Sequence, residues 1–342
     1  MDVVQPALEL RAMTSPLLPP DLQARLAARV GANGVAAMRA AQARASTIYR
    51  GGGHSDAAVT DAEAALAYAA VRMPATYAAC VRAFDLSASG LPDFAPATHL
   101  DLGAGPGTAA LAASAVWPSI ANRTLVEPNP HLRAIGVDML GSGDAAVWTA
   151  SRLDMLEAVN VRADLVTVSY VLSELPEDAI DDLSKHLRAA CKRLIVIVEP
   201  GTPHGYRRIL RARRNMLAMG AKVVAPCPHE RPCPLTGSDW CHFKVRLQRS
   251  ALHMALKDAD VPYEDEPFAF LAASFDPVSA VTRPPARLLA DPAIEKGFAD
   301  LVLCTSDGRR EERRILRRDK AAFRAIRHAE GGAPFGSFDE DR

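Results

Sequence analysis

A short stretch with three glycines at alternate positions constrains the fold of this 342-residue chain more than any other feature. Residues 101–107 read Asp-Leu-Gly-Ala-Gly-Pro-Gly and lie between an apolar run and an alanine-rich segment. Glycines between a strand and a helix let the backbone approach a ligand closely, and the amino terminus of the helix offers N–H donors and positive potential. The stretch therefore predicts a strand–loop–helix unit that binds a nucleotide-like ligand.

Short apolar runs alternate with amphipathic segments around and after this loop. Such alternation is typical of a parallel sheet with helices on both faces. We predict strands at residues 98–102, 124–127, 145–149, 165–169 and 194–198. Helices are predicted between them, at residues 107–116, 130–140 and 176–190. The predicted fold class is therefore α/β with a Rossmann-like core.

Acidic residues near the loop narrow the class of ligand. Asp101 precedes the first glycine, Glu127 ends the second predicted strand and Asp154 follows the third. An acid at the end of the second strand can accept both ribose hydroxyls of a nucleoside. A dinucleotide fingerprint needs a further glycine directly after Gly107, where this chain has Thr108. The pattern favours S-adenosylmethionine over a nicotinamide dinucleotide, and over a glycine turn with only a structural role.

Seven residues are predicted to line this cofactor site. They are Asp101, Gly103, Gly105, Gly107, Glu127, Asp154 and Tyr170. Tyr170 is included because it follows the fourth predicted strand, at the same edge of the sheet as the loop. Residues 169–175 lack the Asn/Asp-Pro-Pro-aromatic signature of many enzymes that methylate amino groups of nucleic acids. The catalytic residues of a methyl transfer are therefore left unassigned.

Three cysteines lie within fifteen residues, and a fourth follows on a later apolar run. They are Cys227, Cys233, Cys241 and Cys304. Four thiolates suit zinc or an iron–sulfur cluster, whereas structural disulfides are not expected in a cytoplasmic chain. The spacing differs from the two-plus-two pairing of a zinc ribbon, so buried free thiols are the alternative.

Other cysteines and two histidines need separate interpretations. Cys80 and Cys191 lie in apolar contexts and are predicted to be buried free thiols. His229 and His242 are close to or next to predicted ligands, so either is a possible replacement for a cysteine in a zinc site. A supporting or surface role is the other interpretation of these histidines.

The chain is predicted to divide into four parts. Residues 1–90 form a helical N-terminal region, in which Thr60 and Glu63 have the spacing of a capping box. Residues 91–222 form the S-adenosylmethionine-binding core. Residues 223–308 form a cysteine-rich metal-binding element and the last strands, with a helix over 245–258. Residues 309–342 form a basic tail, predicted to be helical over 309–327.

The distribution of charge points to an anionic partner. Residues 1–200 carry 16 Lys and Arg against 21 Asp and Glu, whereas residues 201–342 carry 24 against 19. Six basic residues and no acidic one lie between His204 and Val223, which predicts a positive stripe on a helix. A solvated helix face is the alternative. The predicted RNA-binding residues are Arg207, Arg208, Arg211, Arg214, Arg317 and Arg318.

Composition bears on the cellular location. Apolar residues make up 49% of the chain and charged residues 23%, as in ordinary globular proteins. No run of about 18 uncharged apolar residues occurs, and the first residues lack a basic stretch followed by an apolar one. We therefore expect a cytoplasmic protein without a membrane partner.

Five segments together resemble the methyltransferase-like family of mitochondrial small-ribosomal-subunit assembly factors and its bacterial relatives. They are residues 72–77 (Arg-Met-Pro-Ala-Thr-Tyr), 101–107, 199–202 (Glu-Pro-Gly-Thr), 225–243 and 317–320 (Arg-Arg-Asp-Lys). The resemblance covers roughly residues 45–330. Its most specific part is the cysteine segment.

This resemblance implies a class I S-adenosylmethionine-dependent methyltransferase fold with a helical N-terminal layer and a cysteine-rich metal-binding insertion. It implies docking on small-subunit ribosomal RNA during ribosome assembly, with no DNA expected as a partner. It also implies a [4Fe–4S] cluster held by Cys227, Cys233, Cys241 and Cys304. Two alternatives stay open, which are an active rRNA methyltransferase with a structural zinc and a small-molecule methyltransferase.

Overall fold

Two β-sheets and a helical layer make up the part of the chain that the computed structural model describes, which is residues 16–50, 55–140, 145–151 and 161–336. The helical layer consists of α1 (Pro20–Asn33), α2 (Val35–Arg50), α3 (Ser55–Ala58) and α4 (Ala62–Gly90). It packs mainly through α4, whose alanine-rich faces contact α1, α2, α5 (Thr108–Val116) and α6 (Pro130–Leu140). The described residues of the predicted N-terminal region thus lie mainly in the helices α1 to α4.

The long helix α4 begins one residue later than the sequence suggested. Asp61 is its N-cap, and the Asp61 carboxylate accepts a hydrogen bond from the Ala64 N–H at 2.8 Å. The capping box predicted from Thr60 and Glu63 is therefore displaced by one position, because Asp61 is an equally good cap. By length and composition α4 could cross a membrane, but 78% of its apolar window is buried inside the fold.

The first sheet carries the Rossmann-like core. Its strands are β1 (Thr98–Leu102), β2 (Asn122–Val126), β3 (Ala146–Thr149), β4 (Ala163–Ser169), β5 (Cys191–Pro200), β6 (Lys222–Ala225), β7 (Phe243–Gln248) and β8 (Tyr263–Ser274). The order is β3-β2-β1-β4-β5-β8-β6, and β7 pairs with the outer part of β8. Strands β1 to β5 are parallel, whereas β8 is antiparallel to β5, β6 and β7.

Helices α5 and α6, together with α7 (Ala179–Ala190) and α8 (Pro203–Ala218), connect these strands. The five predicted strands and three predicted helices of the core are all present, with ends shifted by at most three residues. Strands β4 and β5 are buried over most of their length, as expected for a sheet covered on both faces. The predicted α/β, Rossmann-like fold is confirmed.

A smaller antiparallel sheet follows the first. It contains β9 (Ala286–Leu288), β10 (Ala293–Ile294), β11 (Phe298–Thr305), β12 (Arg310–Leu316) and β13 (Pro334–Phe335). The order is β10-β11-β9-β13, with β12 on β11. Its own core is small, with Leu288, Leu301, Leu303, Ile326 and Phe335 as its largest buried residues. Because this sheet includes residues on both sides of position 308, the predicted boundary between the cysteine-rich part and the tail lies inside it.

Two helix predictions in the second half of the chain were wrong. Residues 245–258 contain the end of β7 and only a short helix, α9 (Ala251–Lys257). Along β7 buried and exposed residues alternate, with Phe243 and Val245 inside and Lys244 outside, which is the two-residue period of a strand.

Residues 309–327 contain β12 and the short helix α10 (Lys320–Ile326) instead of one basic helix. Strand β12 pairs with β11 over its whole length. An exposed edge strand carries few apolar side chains. The sequence of β12 is therefore mostly charged, and its hydrophobic pattern does not distinguish a strand from a helix.

Candidate functional site

The glycine loop borders a cavity between the helical layer and the carboxyl ends of β1 and β4. Gly103, Gly105 and Gly107 have φ angles of 69°, 53° and 80°, a region that side-chain-bearing residues rarely adopt. A Cβ at position 103 would lie 2.4 Å from Cγ2 of Val171. Gly103 and Gly105 line the cavity, whereas Gly107 precedes α5 and packs toward Leu140.

Asp101 lies at the floor of this cavity. Its Oδ1 accepts a hydrogen bond from the Thr167 hydroxyl at 2.6 Å, whereas its Oδ2 has no partner among the described residues. The side chain is only 1% exposed, and burial raises the pKa of Asp101 to about 7, although the Thr167 hydroxyl opposes this change. A buried acceptor with an unused oxygen is suited to receive a hydrogen bond or charge from a ligand.

Glu127 follows β2 and holds the glycine loop in place. Its Oε2 accepts the Gly105 N–H and its Oε1 accepts the Asn129 N–H, both at 2.8 Å. Each carboxylate oxygen can accept a second hydrogen bond, so ribose hydroxyls can still be bound. Burial raises the pKa of Glu127 above its ordinary value, while these two N–H groups act in the opposite direction. Asp154, the third predicted acid, lies outside the described residues.

The wall opposite the loop contains residues that the sequence did not assign to the site. Helix α4 contributes Tyr68, Arg72, Met73 and Thr76 to the cavity, which Tyr170 also lines as predicted. Arg72 forms an ion pair with Glu266 on β8 at 2.9 Å. The Tyr170 hydroxyl donates to the same Glu266 carboxylate at 3.1 Å. Glu266 was missed because no motif marks it, whereas Arg72 begins the segment 72–77 that carried part of the resemblance.

The four predicted ligand cysteines come together around a second cavity. Cys227, Cys233, Cys241 and Cys304 all line it, together with apolar side chains and the polar residues Tyr206, Arg213 and Arg287. The first three thiols come from the segment between β6 and β7, and Cys304 comes from β11 of the second sheet. Within the described ranges, no three His, Cys, Asp or Glu side chains form a ready-made site for a metal ion. The cavity nevertheless brings all four thiols to one place between the two sheets.

Two buried arginines face these thiols. Arg287 is 4% exposed, donates to the Cys241 Sγ at 3.1 Å and lies over the Phe243 ring. Arg213 donates to the carbonyls of His229 and Arg231. The Nε atoms of both arginines are buried without a partner among the described residues. Buried cations next to thiols indicate a place where negative charge is expected.

Burial keeps two of these thiols protonated in the absence of a metal. Burial raises the pKa of Cys304 to about 12 and also raises that of Cys227, although Arg287 opposes the change at both. Burial opposes the charge on Arg287, but its neighbours Cys241 and Cys227 outweigh burial and raise its pKa. Cys304 and Cys227 are therefore neutral thiols until something displaces their protons, as metal binding does.

The remaining cysteines and the two histidines have clear positions. Cys80 and Cys191 are buried free thiols, as predicted. His229 is buried, and its Nε2 lies 3.4 Å from the Cys304 Sγ, which fits a supporting role beside a thiol. His242 stacks on Trp240 with ring centroids 5.2 Å apart.

The predicted RNA-binding arginines divide into two groups. Arg208 is buried, and its guanidinium donates to the carbonyls of Leu172 and Leu175. Arg211 forms a two-pronged ion pair with Asp181. These two side chains are occupied within the protein, which corrects the expectation of a continuous basic stripe on α8.

The other predicted arginines are accessible. Arg207 and Arg214 are exposed on α8, and neither forms a hydrogen bond or ion pair with the described residues. Arg317 and Arg318 are exposed after β12, where Arg317 donates to the Lys296 carbonyl. The accessible part of the predicted set is therefore Arg207, Arg214, Arg317 and Arg318.

The segment 199–202 connects the two cavities. The Glu199 carboxylate is fully buried and accepts the Leu172 and Ser173 N–H groups, which fixes the turn after β4. Thr202 caps α8 by accepting the Gly205 N–H at 3.1 Å. The Trp240 indole donates to the Gly201 carbonyl at 2.9 Å, next to Cys241. This motif thus ties the turn beside the cofactor cavity to the cysteine segment.

The order of the first sheet identifies the class of protein. Strands β1 to β5 are parallel and lie in the order β3-β2-β1-β4-β5. The antiparallel strand β8 lies between β5 and β6. This is the strand arrangement of class I methyltransferases. The glycine loop after β1 and the acid after β2 occupy the nucleoside-binding edge of such a sheet. The chain belongs to the family described as mitochondrial small ribosomal subunit Rsm22, whose model matches residues 62–336.

Known relatives agree with this assignment. The chain is 29% identical over 194 residues to the human mitochondrial ribosome assembly protein METTL17, covering 52% of this chain and 42% of that protein. It is 30% identical over 172 residues to the Rsm22-cox11 tandem protein 2 of Schizosaccharomyces pombe, a mitochondrial protein, covering 42% of this chain and 22% of the relative. The matches thus span less than half the length of these relatives.

Two methyltransferases are among the solved structures that align with part of this chain. The N-methyltransferase NodS from Bradyrhizobium japonicum aligns with a TM-score of 0.38 and 13% identity, over 57% of this chain and 84% of its own. Magnesium protoporphyrin IX methyltransferase from Synechocystis aligns with a TM-score of 0.37 and 14% identity, over 57% and 78%. The fold assignment rests on the strand order described above.

The comparison corrects one expectation. A cytoplasmic location was predicted from composition, and this prediction was wrong. The family description names the mitochondrial small ribosomal subunit, and the human and fission yeast relatives are mitochondrial proteins. Overall composition carries little information about the compartment, because globular proteins of several compartments share it.

Proposed function

We propose that this chain is a methyltransferase-like protein that binds S-adenosylmethionine, carries a [4Fe–4S] cluster and acts on the small ribosomal subunit during assembly. The observation that carries the proposal is the meeting of four cysteines at one cavity, within the region matched by the Rsm22 family. The relative METTL17 is described as a ribosome assembly protein, which supports the same role here.

The cofactor part of the proposal is supported by the loop and its acids. Gly103 and Gly105 line the cavity, and a Cβ at position 105 would meet none of the described atoms within 4 Å, so a ligand can lie beside the backbone there. Glu127 has lone pairs for ribose hydroxyls, and Asp101 has an unused oxygen. Among the described residues that line the cavity, Arg72 and Tyr170 are engaged with Glu266, so the Tyr170 hydroxyl is not free to act as a general base. Binding of the cofactor is therefore proposed, and methyl transfer is left unassigned.

The metal part is supported by the chemistry of the donor set. Four thiols match the ligands of a [4Fe–4S] cluster, and Arg213 and Arg287 supply positive charge where a thiolate-bound cluster is negative. When bound, the cluster supplies three bonds to the cysteine segment and one bond to Cys304 on the second sheet. Zinc on the same thiols is the alternative, and iron, sulfide and zinc analysis of the anaerobically purified protein distinguishes the two.

The RNA part is tested by the accessible arginines of α8. Arg207 and Arg214 are seven residues apart, so they lie about 10 Å apart along one side of the helix. We expect replacement of both by alanine to weaken binding to small-subunit rRNA about tenfold near 0.1 M salt. The slope of log affinity against log salt should fall by about 1.5 to 2, because two phosphate contacts are lost. Titrations at several salt concentrations measure both quantities.

The matched control is Arg246→Ala. Arg246 is also exposed, but it is paired with Asp265 on the neighbouring strand β8. Its replacement should leave the affinity and the salt slope within error of the unmodified protein. Equal losses in the control and in the α8 variant would refute a specific role for α8 in RNA binding.

A further inference from the structure

The segment 72–77, which carried part of the family resemblance, borders the cofactor cavity. It lies in the middle of α4, and Arg72, Met73 and Thr76 from this segment line the cavity that the glycine loop borders. Positions 72, 73 and 76 lie on one face of a helix. The segment therefore forms a wall of the cofactor site, opposite the glycine loop.

The ion pair at this wall exposes its cation to the cavity. The Arg72 side chain is 30% exposed and lines the cavity, whereas the Glu266 side chain is 8% exposed and does not line it. Glu266 already accepts hydrogen bonds from Arg72 and from the Tyr170 hydroxyl. The guanidinium has five N–H donors and uses two of them on Glu266, so donors are left for a ligand.

An acceptor lies in the same cavity. Asp101 lines it, and its Oδ2 is buried without a partner among the described residues. The cavity thus offers a cation from α4 and an oxygen acceptor from β1. A zwitterionic amino acid, which has a carboxylate and an ammonium on one carbon, matches this pair of groups.

We propose that Arg72 binds the carboxylate of the methionine part of the cofactor, while Asp101 faces its ammonium group. This inference rests on the proposed binding of S-adenosylmethionine and specifies which end of the molecule lies against α4. Arg72 has two functions in this arrangement. It fastens α4 to β8 through Glu266, and it selects ligands that carry an amino-acid group.

Two ligands that share the adenosine part test the proposal. S-adenosylhomocysteine carries the amino-acid group, and 5′-methylthioadenosine lacks it. We expect the unmodified protein to bind the first ligand at least tenfold more tightly by calorimetry. In Arg72→Met the affinity for S-adenosylhomocysteine should fall about 10- to 100-fold, the usual effect of losing a charge-assisted hydrogen bond. The affinity for 5′-methylthioadenosine should stay unchanged.

Arg72→Met leaves the Glu266 charge buried and unpaired, which is expected to destabilise the fold. A second variant controls for this effect. The double variant Arg72→Met/Glu266→Gln removes that charge, and we expect it to show the same selective loss of S-adenosylhomocysteine. Arg72→Lys keeps the charge without the planar fork, so its affinity for S-adenosylhomocysteine should lie between that of the unmodified protein and that of Arg72→Met.

The outcomes separate this inference from the proposed function. Equal loss of both ligands in the variants, or no loss of either, would mean that Arg72 is only a structural anchor for α4, and the inference would be overturned. An unmodified protein that binds neither ligand would overturn the proposed cofactor binding itself, and the inference with it. Selective loss of S-adenosylhomocysteine alone supports both.

Discussion

Replacement of Cys304 by serine is expected to remove iron and sulfide from the anaerobically purified protein and to loosen the second sheet. Cys304 lies on β11, whereas the other three thiols lie in the segment between β6 and β7. A cluster held by all four joins the two sheets covalently. Metal binding contributes directly to folding free energy. Loss of this covalent link should therefore lower the local stability of the second sheet by several kcal/mol.

We expect the second sheet to depend on this link, because its own core is small. Apart from Leu288, Leu301, Leu303 and Phe335, its buried apolar residues are mostly alanines. Small units bury little surface, and below about 40 residues they usually need metals or disulfides for stability. The second sheet, which lies within residues 286–335, is only slightly larger than this limit. Amide hydrogen exchange in β11 should therefore accelerate about 100-fold in Cys304→Ser, while exchange in β1 and β4 stays unchanged.

Cys191→Ala is the matched control for this experiment. Cys191 is also a buried thiol, but it begins β5 in the first sheet and does not line the cysteine cavity. The control should keep its iron and sulfide and its exchange pattern in the second sheet. If Cys304→Ser keeps a full complement of iron and sulfide, the proposed ligand set is wrong.

Replacement of Gly205 by alanine should destabilise the whole protein by about 3 kcal/mol. A Cβ at this position would lie 2.1 Å from the carbonyl oxygen of Pro200, so β5 and the first turn of α8 would have to move apart. That movement would also disturb the hydrogen bond from the Gly205 N–H to the Thr202 side chain, which caps α8. Urea unfolding followed by circular dichroism measures the change.

Gly31→Ala provides the comparison. Gly31 lies in α1, and a Cβ there would meet nothing within 4 Å. Because alanine is the better helix former, this variant should be stabilised by about 0.5 to 1 kcal/mol. Similar unfolding midpoints for the two variants would show that the close approach at Gly205 can relax without cost.

The parts of the fold that were predicted correctly share strong local signals. Strand β1 and helix α6 were placed at their observed ends, because the glycine loop directly after Leu102 and the proline at the first turn of α6 mark these boundaries. The positions of Gly103 directly after β1 and of Glu127 directly after β2 followed from similar local signals. Local patterns sufficed wherever the chain forms a repeated strand–helix unit.

The parts that were missed depend on contacts distant in sequence. Strand β12 is charged along much of its length, and only its pairing with β11 makes it a strand. Arg208 looked like a surface residue of a basic helix, yet the turn after β4 accepts its hydrogen bonds. Glu266 lies almost 200 residues from Arg72, and no pattern in the sequence connects the two. Tertiary pairing decided these cases, and a single sequence does not record it.

The cysteine site falls between these two groups. The clustering of Cys227, Cys233 and Cys241, together with Cys304 on a later apolar run, suggested a metal site, and the family resemblance implied that these four cysteines hold a [4Fe–4S] cluster. Their common cavity agrees with this set. The two arginines that face the thiols were not predicted, because Arg213 resembled its exposed neighbours on α8 and Arg287 lies alone on β9.

The most direct test of the proposed role is sedimentation of ribosomal particles from cells with and without this protein. We expect the protein to sediment with small-subunit particles at low salt and to be released at high salt. In its absence, mature small subunits should become scarce while large subunits accumulate unpaired. Unchanged subunit profiles, together with protein that stays at the top of the gradient, would contradict a role in small-subunit assembly.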